Sequence, residues 1–226
     1  MWVGHLSHKD LTNSFGTMAM HTPDELSDIY RKQSDWFAGE RNRLLRKAEI
    51  ARRHRVLDLG TGTGELLANL DRRAAGFAVG VDADAEALRL AAGRRVVANA
   101  QVLPFPDATF DLVFTQMFFL WAKPLDRILE EIHRILTDDG YLIAAAEPDY
   151  GGAIEYPANS SQLSMFTEQL LSEGADLHVG RKLDGAMANA GFEVECGAHA
   201  SQPLARESGA AFLYVPYFHF LARKRR

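Results

Sequence analysis

Short apolar runs alternate along the chain with stretches in which apolar residues recur every three or four positions. Val56-Leu57-Asp58-Leu59, Phe77-Ala78-Val79-Gly80-Val81-Asp82, Phe110 to Phe114 and Tyr141 to Ala146 read as buried strands. Between them, Leu66, Leu67 and Leu70 predict a helix starting at Gly64 or Glu65, and Leu88 and Ala91 mark a second. A third carries Leu125, Ile128, Leu129, Ile132 and Ile135 inward, with Asp126, Glu130, Glu131, His133 and Arg134 on its polar face. Thr137-Asp138-Asp139-Gly140 is expected to close it. Leu183, Ala186, Met187 and Ala190 form another helix face stopped at Gly191, and Phe192 to Ala198 and Leu213 to Ala222 read as closing strands. Strand and helix in alternation predict a doubly wound α/β sheet between helical layers. The 226 residues fit one such domain, without repeats or linkers. Residues 1–23 are polar and patternless, a mobile tail by expectation, and Thr22-Pro23-Asp24-Glu25 is a capping-box helix start. The domain is therefore placed at 24–226, with lid helices near 24–45 and 150–180.

The chemistry begins where the first strand runs into Gly60-Thr61-Gly62-Thr63-Gly64-Glu65. Glycines there supply positive φ and leave no Cβ between backbone and ligand, while the following helix turns its positive end toward the loop. That is a nucleotide-cofactor site. The dinucleotide fingerprint is G-x-G-x-x-G, and Glu65 stands where its third glycine belongs. Asp82 follows Gly60 by 22 residues at a strand's carboxyl end. A carboxylate there can accept both hydroxyl hydrogens of a ribose, or it can cap the next helix.

The glycine series, together with Asn99-Ala100-Gln101-Val102-Leu103-Pro104-Phe105 and Phe110-Asp111, resembles the class I S-adenosylmethionine-dependent methyltransferases of the small-molecule, methyltransferase domain 11 type. The resemblance covers residues 40 to 150 by motif. It implies a Rossmann-like, seven-stranded, three-layer α/β/α fold whose last strand is antiparallel, with S-adenosylmethionine as cofactor. It also implies that Asp58, Gly60, Thr61, Gly62, Gly64, Asp82 and Ala83 hold the cofactor. Asn99 and Ala100 would meet the adenine, Asn99 replacing the usual acid, with Leu103 to Phe105 as the wall. Gln116 would approach the methionine part. Arg41, in a helix-like region with Tyr30 and Trp36, would pair with the methionine carboxylate or lie on the surface.

The formal charge of −5 disfavours a phosphate backbone, and the terminal Arg223-Lys224-Arg225-Arg226 reads as a solvated tail. The one cysteine, Cys196, suits a reducing cytoplasm and reads as a small core residue. No long apolar run or leader indicates a membrane or export, so Asn159-Ser160-Ser161 carries no weight as a sequon. The eight histidines make no i, i+4 helix pair, and no metal is expected. After the fourth strand, Thr115 to Trp121 lacks the Pro-Pro-aromatic motif of nucleic-acid amino methyltransferases. This leaves a small-molecule acceptor foremost, with protein or RNA behind. Phe118, Phe119 and Trp121 could stack an acceptor or pack the core. In the loop from Glu147 to Pro157, Glu147, Asp149 and Tyr150 are candidates to orient or deprotonate it, and His178 is a further candidate. The catalytic candidates are thus Glu147, Tyr150 and His178. An NAD-dependent oxidoreductase and a non-catalytic cofactor-binding protein are the alternatives, and no oligomeric state is legible.

Overall fold

A computed structural model describes residues 27–28, 31, 34–156, 161–200 and 212–225. The tail, the capping box, Tyr30 and most of the sequon lie outside them. The elements are α1 (Ala38–Lys47), β1 (Arg55–Leu59), α2 (Leu67–Arg73), β2 (Phe77–Asp82), α3 (Ala85–Leu88), β3 (Arg94–Val97), β4 (Phe110–Gln116), α4 (Leu125–Ile135) and β5 (Leu136–Pro148). They continue through β6 (Ile154–Tyr156), α5 (Ser161–Ser172), α6 (Val179–Asn189), β7 (Phe192–Ala200), β8 (Phe212–Tyr214) and β9 (Pro216–Lys224).

Seven strands form one sheet in the order β3-β2-β1-β4-β5-β9-β7. The pairs from β3 to β5 are parallel, and β9 runs antiparallel between β5 and β7. The sheet is therefore the expected one, with its last strand reversed. The period-two alternation of a strand sends Val56, Ala78, Leu112 and Phe114 to one face, where they pack with Leu44, Leu45, Leu67 and Leu70. Leu57, Val79, Val81 and Val113 go to the other, against Ile128, Leu129, Ile132, Leu183 and Met187. Two cores sandwich the sheet, and each central strand is apolar on both faces because both are covered.

Several details differ from the sequence reading. The helix after the glycine loop starts at Leu67 rather than Gly64 or Glu65, because Gly64 adopts φ +83, a left-handed conformation that a helix excludes. Thr137 to Gly140 belong to β5, which follows α4 without a break. Leu213 leaves the main sheet, since β8 pairs only with β6. Cys196 is exposed on the edge strand β7 instead of filling the core. His133 is half-buried, its ring against that of Phe192; burial first, and then Lys224, lowers its pKa.

Glu131 is the largest departure. It is buried, accepting the Leu103 amide at 2.7 Å and the Arg134 guanidinium at 2.7 and 2.9 Å. Arg134, which holds the Glu131 carboxyl below its ordinary range, also donates to the Leu103 and Phe105 carbonyls. The pair therefore staples the Leu103-Pro104-Phe105 turn to α4, and the motif works as a fastening.

Candidate functional site

The strand order reverses between β1 and β4, two parallel neighbours whose carboxyl ends open one crevice, the usual ligand position in such a sheet. A cavity of about 530 Å³ lies there. Of the residues expected to hold a cofactor, Asp58, Gly60, Thr61, Gly62, Asp82, Ala83, Asn99, Ala100 and Gln116 line it. Gly64 does not: its Cα faces Ala91, and a Cβ there would come within 2.6 Å of the Ala91 Cβ. Its glycine is required by packing and by φ.

The loop is tied to β2. The Gly60 and Thr61 amides donate to the Val81 carbonyl, and the Gly62 amide donates to Asp82 Oδ2 at 2.7 Å. Asp82 also accepts the Asp84 amide at 2.9 Å, but the helix cap is Asp84, which accepts from Glu86 and Ala87. Asp82 thus faces the cavity and fixes the loop. Gly60, at φ +77, faces the Phe118 ring so closely that a Cβ would come within 2.5 Å of it.

Asp58 is buried and accepts the Thr61 hydroxyl at 2.6 Å. Burial pushes its carboxyl up to about 7, helped by Asp82 and opposed by Thr61 and Arg41. Arg41 is buried and donates to the Ser34 carbonyl at 2.6 Å and to Gln116 Oε1 at 3.2 Å. It stands behind the lining, yet it meets Gln116, the other residue expected at the methionine end. Its Nε has no hydrogen-bond partner among the described residues, and desolvation lowers its pKa. Asn99 Oδ1 accepts the Gln101 amide at 2.9 Å, and the Leu103 to Phe105 turn lies outside the lining. In the lining, Asn99 is accompanied by its chain neighbours Ala98 and Ala100.

The catalytic candidates separate. Glu147 is fully buried outside the lining, and its two oxygens accept the Phe118 and Phe119 amides at 3.2 and 3.0 Å. Burial pushes its carboxyl up to about 8, against the pull of those amides and of Thr115. It cannot reach an acceptor; it holds a turn. Met117, the first residue of that turn, sits at φ +54, a strained conformation for a side-chain-bearing residue. A bulge in β5 between Ala144 and Glu147, with Ala146 at φ +57, turns Glu147 toward that turn.

His178 precedes α6, and its ring covers the Cα of Gly151 outside the cavity, so it is no candidate for the chemistry. Asp149 is buried in a two-point pair with Arg181 at 2.6 and 3.0 Å. Tyr150 does line the cavity. Its hydroxyl pairs with that of Tyr217, and burial raises its pKa well above the ordinary value, so it offers a neutral hydroxyl and no base.

Phe118 and Trp121 line the cavity, whereas Phe119 is core. Residues missed by sequence reasoning are Phe166, Gln169, Leu170 and Glu173, which close the outer wall from α5 and the turn after it. Their helix is only weakly amphipathic, and no motif marks it. Among the described residues, no helix is long and apolar enough to cross a membrane.

Comparison with known proteins agrees with this geometry. A family model described as a methyltransferase domain matches residues 57–144. Malonyl-[acyl-carrier protein] O-methyltransferase 1 of Coxiella burnetii is 32% identical over 105 residues, 45% of this chain and 37% of the relative. Arginine-hydroxylase NDUFAF5 of Homo sapiens is 29% identical over 189 residues, 73% of this chain and 54% of the relative. The chain thus spans about half or less of the length of these curated relatives. The crystal structure of an S-adenosylmethionine-dependent methyltransferase from Methanosarcina mazei superposes with a TM-score of 0.55 at 20% identity, covering 77% of this chain and 93% of that one. Residues 57–144 thus match the model of a methyltransferase domain, and the chain has the fold of the S-adenosylmethionine-dependent methyltransferase from Methanosarcina mazei.

Proposed function

We propose that the chain binds S-adenosylmethionine in the cavity and directs methyl transfer to a small-molecule acceptor. The observation that carries this reading is the pairing of opposite charges at one end of the crevice. Asp58 lies there in the lining, and Arg41 stands beside Gln116 with Nε unpartnered among the described residues. A free amino acid end is a zwitterion, with an ammonium for the carboxylate and a carboxylate for the guanidinium. The other end supplies Asp82 for ribose hydroxyls and Asn99 with Ala100 for adenine.

The cofactor, when bound, supplies a sulfonium-activated methyl group ready for in-line displacement. The protein's part is to align and to exclude water. Met117, Phe118 and Trp121, facing Tyr150, Phe166 and Leu170, give the acceptor an apolar, aromatic chamber, and Tyr150 can orient a polar atom through its hydroxyl. The outer wall from α5 makes the chamber suit a small acceptor more than a folded protein or an RNA.

A nicotinamide dinucleotide fits poorly. The cavity lining near the glycine loop presents Glu65, where a dinucleotide site has its third glycine, and Asp84, acids that repel a diphosphate. Calorimetry is expected to show binding of S-adenosylmethionine and S-adenosylhomocysteine and none of NAD. Comparable NAD affinity without either sulfur nucleoside would overturn the reading. With an acceptor found by a methyl-transfer screen of metabolites, Trp121→Ala is expected to lower turnover at least about tenfold while leaving donor affinity nearly unchanged. No turnover on any acceptor would leave a cofactor-binding protein without catalysis.

A further inference from the structure

Away from the cavity, the fold gathers three residues that no sequence spacing connects. Glu40 on α1 faces His219 on β9 and His199 on β7, and one ligand atom of each lies within 4.8 Å of the others. His219 is buried, with its ring 5.1 Å from that of His199. Its Nε2 is 3.2 Å from Glu40 Oε1 and 2.9 Å from Arg43 Nη2.

Arg43 already spans Glu40 and His219: its Nε donates to Glu40 Oε1 at 2.6 Å, and its Nη2 donates to Nε2 of His219, which accepts with its lone pair. The His219 proton then sits on Nδ1, which is buried with no partner among the described residues.

A metal cation can stand where the guanidinium does, since it accepts lone pairs from Nε2 and from Glu40 together. Arg43 would exchange its pair with Glu40 for one with Glu195: its side chain is 37% exposed, and Glu195, which also pairs with Lys47, lies 4.0 Å from its Nη1. We propose that Glu40, His199 and His219 bind a divalent transition cation of the Zn²⁺ type, which displaces Arg43 and pins α1 to the β7–β9 edge. Two imidazoles and a carboxylate are a common zinc set, with water in a fourth position. Tetrahedral ligands stand roughly 3.4 Å apart, so the side chains must close in slightly, and the rotatable Glu40 arm can supply that movement.

The test is a titration of chelator-treated protein with Co²⁺, whose visible absorption reports tetrahedral nitrogen and oxygen coordination, followed by competition with Zn²⁺. About one equivalent should bind and raise the melting temperature. His199→Ala should weaken affinity at least about tenfold and abolish the thermal shift, with the near-isosteric Glu40→Gln as a second variant should the first misfold. Arg43→Ala should tighten binding. No saturable band overturns the proposal, as does unchanged affinity in His199→Ala and Glu40→Gln, which would assign the cation to other histidines. Equal or weaker binding in Arg43→Ala overturns the displacement.

Discussion

Replacing Glu147 with alanine is expected to lower the free energy of unfolding by about 2 to 5 kcal/mol, because the buried Phe119 amide and the part-buried Phe118 amide lose their acceptors together. Urea titration checks the value. The same residue makes stability depend on pH. Burial raises its carboxyl from an ordinary 4.5 to about 8, so the folded state binds more protons than the unfolded one between those values. Stability is then full below about pH 4.5 and falls as pH rises toward 8. Asp58, raised from 3.8 to about 7, adds a fall of the same sign. Glu147→Gln should cost less than alanine and flatten much of the slope, leaving the part due to Asp58. A slope unchanged in Glu147→Gln would show that the carboxyl stays ionised in the fold.

Asp82→Ala should weaken S-adenosylmethionine binding by about 1.5 to 3 kcal/mol, or roughly 10- to 150-fold, the scale of charge-assisted hydrogen bonds. Two effects combine: loss of the acceptor for the ribose, and release of the Gly62 amide that Asp82 holds at 2.7 Å. Asp84→Ala is the control, since Asp84 caps α3 through Glu86 and Ala87, and its loss should touch affinity far less. Calorimetry on both variants separates the roles, and equal affinity in Asp82→Ala and the parent would place the ribose elsewhere.

The sheet was legible because its signals are local. Val56 to Leu59 and Phe77 to Val81 are apolar on both faces, and α4 carries its apolar residues on one stripe. The glycine loop and Asp82 were legible for the same reason, since a positive φ and a strand-end carboxylate need particular residue types. What sequence misplaced were groups whose role depends on distant partners. Glu131 reads as a surface acid until Leu103 and Arg134 surround it. Glu147 reads as a loop base, yet a bulge turns it toward amides 28 and 29 residues away. The wall from α5 carries no composition signal, and the grouping of Glu40, His199 and His219 exists only once β9 inserts between β5 and β7.

That bulge in β5 has an evolutionary consequence. Leu142 to Ala144 are locked in register with β9, and Glu147 must still reach two successive amides beyond β4. Side chains alternate across a strand, so one residue more or fewer in this interval would turn the carboxyl to the opposite face and release Met117 from its strained conformation. Under the proposed function, Leu120 and Trp121, which line the cavity beyond that turn, belong to the acceptor wall and lie outside this constraint of register. Selection for a new acceptor can therefore proceed by substitution along this wall, while the spacing that presents it stays fixed.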